Sequence, residues 1–509
     1  MCFSSRKSKR INRKIYITLL TLVLFAALFS STTAGAASSF DGTGVDQYMK
    51  NAMERLRIPG AALGIIKGNR IIYLQGYGIS GPEQKPVTPQ TPFILGSTSK
   101  SITALAVMQL VEEGKVDLEA PVQRYLPWFR LADKQASAKI TVRDLLHQTS
   151  GISEYEGRAT MASDNLPLEA HLQSMKDVPL AQPVGSGYQY SNLNYDILGG
   201  IVQAVSQQPY GDYIKDHIFT PLDMLHSTAY AEEARRYGLA AGYQPIFGKM
   251  TSTPQMDHTA SVPDGNLISS AEDLSNYLIA QMNGGQLENR TVLSEDGIEQ
   301  LHKPASLIQE GEYYGMGWII SSGNVWHNGA TENSSSYLLM DREYGIVLLF
   351  NSVDFLADYD GVPLAIQQLL HGQEVSVDKL PDFWQTHLLI NGVLLLFTIL
   401  YLLSLRGLMK WRNTKLLTKK KQALREGSLI LINILLPSAV LIFVPRLLLP
   451  WPVALLFLPG IAHFVLFFCL LLLAAGMVKA VRMGRDMAEM PKSLTIVNDF
   501  GYNVGEYYD

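Results

Sequence analysis

The chain has 509 residues, 47% of them hydrophobic and 17% charged, with a formal net charge of −4. That length exceeds one ordinary domain, and so low a charge content points to membrane segments beside a soluble part. Cys2 and Cys469 are the two cysteines, which excludes disulfides, a cysteine nucleophile and a thiolate zinc site from the middle of the chain.

Arg6, Lys7, Lys9, Arg10, Arg13 and Lys14 precede an apolar run at 15–29, and Ala34-Gly35-Ala36 supplies small residues after it. Residues 1–37 therefore read as a signal peptide, with an uncleaved anchor as the alternative. Cys2 precedes the apolar run, so it is not placed like a lipoprotein cysteine. Over residues 38–383, 23 Lys and Arg stand against 40 Asp and Glu, a net −17. That balance argues against nucleic acid or an anionic membrane surface as a partner.

Residues 38–372 read as one α/β domain. The β-type runs 61–67 and 70–77 flank Gly68-Asn69, a hairpin signal. Residues 97–113 carry helical apolar spacing through Ile102, Leu105, Ala106, Met108, Leu110 and Val111. The middle, 115–235, is mostly helix and loop. A second hairpin is expected from 336–340 and 345–351, and 361–371 reads as a closing helix. Strands at both ends with helices between predict one sheet completed by both termini, plus a helical insert.

Residues 373–386 read as a linker. Beyond it, 387–405, 428–447 and 453–478 are apolar runs long enough to span a bilayer. They predict three transmembrane helices within 387–480. Pro437 and Pro445 leave a re-entrant pair open for the second run. Arg406, Lys410, Arg412, Lys415, Lys419, Lys420, Lys421 and Arg425 separate the first two runs, and Lys479, Arg482 and Arg485 follow the third. Positive loops stay in the cytoplasm. That puts the basic loop and the tail, 481–509, inside and residues 38–385 outside.

Three short motifs occur in order: Ser97-Thr98-Ser99-Lys100, Tyr190-Ser191-Asn192 and His327-Asn328-Gly329. S-x-x-K also occurs at Ser4/Lys7 and Ser376/Lys379, where a surface serine and a solvated lysine explain it. Only Ser97 opens a helix after a β-type run. There, residue i+3 lies on the same helix face, so Lys100 reaches back to Ser97. The helix N-terminus offers free N–H groups where an oxyanion would form. A serine hydroxyl needs an adjacent base, and a desolvated lysine can serve. Tyr190 would relay a proton, unless it is a loop tyrosine packed on the helices. Asn192 would hydrogen-bond a substrate amide and hold Lys100. Gly329 would let substrate approach the backbone closely, unless His327-Asn328-Gly329 is an ordinary turn before a strand.

Together the motifs resemble those of serine β-lactamases and penicillin-binding proteins, and the Y-x-N form resembles class C β-lactamases and related D-Ala-D-Ala carboxypeptidases, D-aminopeptidases and esterases. The similarity spans about residues 45–370 and includes Leu145-Leu146-His147-Gln148-Thr149-Ser150-Gly151, Pro221-Leu222-Asp223-Met224, Tyr314-Gly315-Met316-Gly317-Trp318 and His327-Asn328-Gly329-Ala330. It implies a β-lactamase-like fold, an antiparallel sheet flanked by helices with a helical subdomain, here followed by an all-α membrane region. It implies Ser97 as the acylated residue, Lys100 and Tyr190 handling its proton, and Asn192 orienting substrate. The N–H groups of Ser97 and Ala330 would form the oxyanion hole. His327 stands where class C enzymes have lysine, and Gln148 where a histidine is usual. With an ordinary imidazole pKa of about 6.5, His327 is expected to face a substrate carboxylate as a mostly neutral group. His147 reads as structural.

The leading function is a membrane-anchored extracytoplasmic hydrolase without cofactor or metal. Its partners would be the bilayer and a small peptide, ester or β-lactam, with D-amino-acid peptides of the cell wall foremost. An esterase or D-aminopeptidase using the same residues is the second reading. A non-catalytic receptor for β-lactams or wall fragments is the third. No G-x-S-x-G or H-E-x-x-H motif supports another hydrolase type.

Overall fold

The computed structural model describes residues 40–162, 166–409 and 419–488. The expected signal peptide, residues 410–418 of the basic loop and residues 489–509 of the tail lie outside them.

Helix α1 (Thr43–Leu56) buries Val45, Tyr48, Met49, Ala52, Met53 and Leu56, an apolar stripe at the three-to-four residue spacing of one helix face. Strands β1 (Gly60–Lys67) and β2 (Arg70–Gly78) follow, joined through Gly68-Asn69, with Lys67 opposite Arg70. The central helix α2 (Ser99–Glu112) is buried on nearly every side, which explains why it is apolar almost all round. After a helical stretch come α3 (Asn192–Ser206) and α4 (Ala271–Met282). Six further strands complete the large sheet: β3 (Ser306–Gln309), β4 (Glu312–Tyr314), β5 (Ile319–Ser321), β6 (Asn324–Ala330), β7 (Ser335–Met340) and β8 (Tyr344–Phe350). Helix α5 (Gly361–Leu370) ends this part.

The eight strands form one antiparallel sheet in the order β2-β1-β8-β7-β6-β5-β4-β3. The N-terminal hairpin therefore inserts beside the C-terminal one, with Ala61 opposite Phe350 and Lys67 opposite Tyr344. All of β8 is buried. Its unbroken Ile346-Val347-Leu348-Leu349-Phe350 run fits a strand covered on both faces. Helix α4 packs on β1 and β8, while α5 packs on β8 and on α1. Each fully buried aliphatic side chain here contributes roughly 1.5–3 kcal/mol relative to exposure. The described part of 115–235 holds helices and turns, with pairing limited to isolated bridges.

The linker is shorter than its sequence indicates. Arg55 Nε donates to Leu380 O at 2.9 Å, and both Leu380 and Phe383 are buried. Helix α6 (Phe383–Met409) begins directly after. It is followed by α7 (Lys419–Ile430), a wide turn at Leu431–Leu435 and α8 (Leu436–Leu447). These last three run as one helical path, with Pro437 just after the wide turn and Pro445 inside α8. The third run is not one helix. A short helix α9 (Trp451–Phe457) stops before Gly460, at φ +83°, and α10 (Ile461–Ala488) starts afresh. Among the described residues, three helices are long and apolar enough to cross a membrane: Val377–Arg406, Glu426–Leu447 and Ile461–Arg485.

Candidate active site

Ser97 sits in a tight turn at Gly96–Thr98 that leads into α2. Lys100, one turn on and fully buried, places Nζ 3.1 Å from Ser97 Oγ. The Tyr190 hydroxyl donates to the same Oγ at 2.9 Å. Lys100 Nζ also donates to Asn192 Oδ1 at 2.9 Å and to the backbone oxygen of Asp264 at 2.7 Å. Four of the expected site residues thus meet in one cluster, although 89 residues separate Ser97 and Lys100 from the Tyr190 motif along the chain at their nearest. The other S-x-x-K matches differ. Ser376 merely caps an exposed turn, accepting from Asp378 N, and Ser4 lies outside the described residues.

The strand β6 brings its motif against the same turn. A Cβ added to Gly329 would lie 2.1 Å from Leu95 O and 2.8 Å from Ser97 N. One added to Gly96, at φ +62°, would lie 2.3 Å from Ala330 N. Both glycines are required because the two backbones touch there. Thr98 Oγ1 and Ser336 Oγ, 2.8 Å apart, stitch the contact. The outcome is that the backbone at Ser97 is held against the backbone at Ala330, and both residues line one cleft.

His327 departs from expectation. It is 2% exposed, with Nδ1 2.6 Å from Asn328 O and Nε2 3.3 Å from the Tyr314 hydroxyl. Burial, helped by the nearby Lys100 charge, pushes its pKa down to about 3. A charged imidazolium cannot be hydrated there, so the ring stays neutral across the physiological range and does not titrate near 6.5.

Several positioning residues carry no motif. Gln148, fully buried at φ +59°, accepts from Ser191 N at 2.9 Å and from the Asn194 side chain, while its backbone oxygen accepts from Gln189 N at 2.8 Å. It clamps both sides of Tyr190. The sequence shows it as a departure from the usual histidine after Leu145-Leu146-His147, but not its partners. At His147 the backbone oxygen accepts from Ser306 Oγ at 2.6 Å, and burial lowers the ring's pKa to about 4.

Behind Lys100 lies a buried acid pair. The turn Val262–Asn266 packs on both α2 and α3 and carries Asp264, whose Oδ2 is 3.7 Å from Lys100 Nζ. Asp264 and Asp196 neighbour each other, and the Oδ1 atom of each has no hydrogen-bond partner. Burial raises both pKa values, that of Asp196 to about 7, with the neighbouring Asp196 raising Asp264 further. His171 Nε2 lies 3.1 Å from Asp196 Oδ2, its own pKa lowered by burial.

An eight-stranded antiparallel sheet, helices on both faces and a helical subdomain make this a β-lactamase-like fold. The chain belongs to the Beta-lactamase family, which matches residues 45–370. It is 30% identical over 318 residues to Protein flp of Staphylococcus aureus (strain MW2), covering 60% of this chain and 62% of that protein. It is 29% identical over 330 residues to the putative penicillin-binding protein PbpX of Bacillus subtilis (strain 168), covering 64% and 78%. Among solved structures it is similar to the octameric penicillin-binding protein homologue from Pyrococcus abyssi, with TM-score 0.58 and 30% identity over 68% of this chain and 80% of that one. The hydrolase EstCE1 shares the fold, with TM-score 0.57 at 22% identity over 65% and 98%.

Proposed function

We propose that this protein is a membrane-anchored extracytoplasmic serine hydrolase that cleaves an amide or ester through an acyl-Ser97 intermediate. The observation that carries the reading is the double engagement of Ser97 Oγ by Lys100 Nζ at 3.1 Å and the Tyr190 hydroxyl at 2.9 Å. Asn192 Oδ1 and Asp264 O are acceptors only, so two Lys100 hydrogens point to them. In the amine form the lone pair then faces Ser97.

The steps follow. Ser97 Oγ bonds to the substrate carbonyl carbon and its proton passes to Lys100. The oxyanion rests between the Ser97 and Ala330 amides. Collapse expels the leaving group, which takes the Tyr190 proton. Lys100 is left cationic and Tyr190 anionic beside the acyl group. An attacking water gives its proton to Tyr190, and Lys100 returns its proton to Ser97 as the acyl bond breaks.

The substrate is a small amide or ester, with D-amino-acid peptides of the cell wall or β-lactams as the leading class. One observation favours the second reading, a D-aminopeptidase or an esterase for aminoacyl groups. Apart from Lys100, no Lys or Arg among the described residues stands at the cleft, whereas Glu332 lines it, 1% exposed, with Oε1 accepting from Met256 N at 3.0 Å and Oε2 3.5 Å from His258 Nε2. A buried acid at that wall favours a cationic partner, such as a substrate ammonium group. With a chromogenic ester, a burst of one product per chain followed by steady turnover is expected. A burst without turnover would instead mark a receptor.

Orientation has its own test. A cysteine placed near Gly361 is expected to react with an impermeant thiol reagent on intact cells, and one near Lys420 is not. The reverse pattern would place the domain in the cytoplasm and remove a wall substrate from reach.

A further inference from the structure

The segment between the second and third membrane helices is part of the substrate cleft. Only residues 448–460 separate α8 from α10. Too short to form a domain, the segment folds as α9 and seats on the hydrolase part. Val453, Ala454 and Phe457 are buried there. Gln244 Nε2 donates to Leu456 O at 2.8 Å, and Arg158 donates to Leu448 O at 3.3 Å, so both ends are held. Phe457 meets Phe355 with ring centroids 5.6 Å apart. Its remaining face lines the same cleft as Ser97, Asn192 and Met161, and the turn at Thr160–Ala162 that carries Met161 packs on α9.

A second fastening holds the geometry. His387, one turn into α6, places Nε2 2.8 Å from Asp354 Oδ2, both residues buried, and Asn391 donates to Phe247 O at 2.9 Å. The hydrolase part is thus tied to the membrane helices at two places, not hung on a free tether.

Distance gives this arrangement its meaning. Phe457 precedes Ile461, the first residue of the third candidate span, by four residues. Four residues reach at most about 14 Å. The cleft wall beside Ser97 therefore stands within about 15 Å of the hydrocarbon edge, and at that wall it is apolar. We infer that the enzyme takes its substrate at the bilayer surface, as a membrane-anchored amphiphile whose scissile ester or amide stands close to the headgroups, with α9 and Phe457 forming the wall that receives the stem leading to its anchor. This rests on the hydrolase reading above.

The test uses the full chain in phosphatidylcholine nanodiscs and three fluorogenic esters with one reacting group. One is soluble, one is tied to a dialkylglycerol by a spacer of about 15 Å, and one by a spacer of about 50 Å. The short-spacer ester is expected to be cleaved at least as efficiently as the long-spacer one. Phe457→Ala is expected to lower kcat/KM for the short-spacer ester relative to the soluble one by about tenfold, the scale of one lost apolar pocket contact. Gln244→Ala, which frees the α9 carbonyl without emptying the cleft wall, should shift the same ratio the same way by less. Cleavage of the soluble and long-spacer esters but not the short-spacer ester would overturn the inference alone, as would a ratio unmoved by both substitutions. Loss of all three cleavages would overturn the hydrolase reading and this inference with it.

Discussion

Replacing Lys100 with alanine lowers the rate of Ser97 acylation by about 10²–10⁴-fold, the usual contribution of a positioned general base. The side chain is fully buried and makes every polar contact it can, to Ser97, Asn192 and Asp264. Its loss should appear in the acylation step, measured by stopped-flow with a chromogenic ester, with little change in substrate affinity. Lys100→Arg separates proton transfer from charge. Arginine keeps a cation but cannot give up a proton in a protein, so this variant should be as slow as the alanine. An arginine variant that restores acylation would mean that Lys100 acts by charge alone. An alanine variant that loses only affinity would remove it from proton transfer altogether.

Gly96→Ala should cost at least about 10²-fold in acylation, because a displacement of about 1 Å at a reacting atom has that scale. The added Cβ would fall 2.3 Å from Ala330 N and 2.7 Å from Gly329 C, both backbone atoms that cannot swing aside. The turn bearing Ser97 must then move off β6, which parts the two amides proposed for the oxyanion. Left-handed backbone adds roughly 1–2 kcal/mol of strain for any residue but glycine. Gly114→Ala isolates that strain, since Gly114 has φ +69° and open space around it. It should lower the melting temperature modestly and leave acylation alone. Equal acylation rates in the two variants would contradict the role given to the Gly96–Ala330 contact.

What the sequence made legible was local. Gly68-Asn69 between two β-type runs announces a hairpin because the turn chemistry and the alternation sit within a few residues of each other. The helical placement of Ser97 and Lys100 follows from three-residue spacing for the same reason. What stayed hidden depends on burial and on contacts across the fold. His327 has an ordinary ring in the sequence, and only its burial in the fold, beside the Lys100 charge, makes its charging prohibitive. Gln148 looks like a departure from a motif until Ser191 and Asn194 are found against it, 43 and 46 residues away. Asp196 and Asp264 come together from separate elements. Residues 453–478 read as one apolar run because burial against protein and burial in lipid select the same side chains. Pro459-Gly460 does mark the break within that run, whereas the docking of Phe457 on the cleft left no such trace.

The most direct test of the account is covalent. The intact mass of the full chain after exposure to a β-lactam or a fluorophosphonate should rise by one adduct, peptide mapping should place it on Ser97, and Ser97→Ala should show none. An adduct that survives Ser97→Ala, or that maps to Ser376 or any other residue, would contradict it.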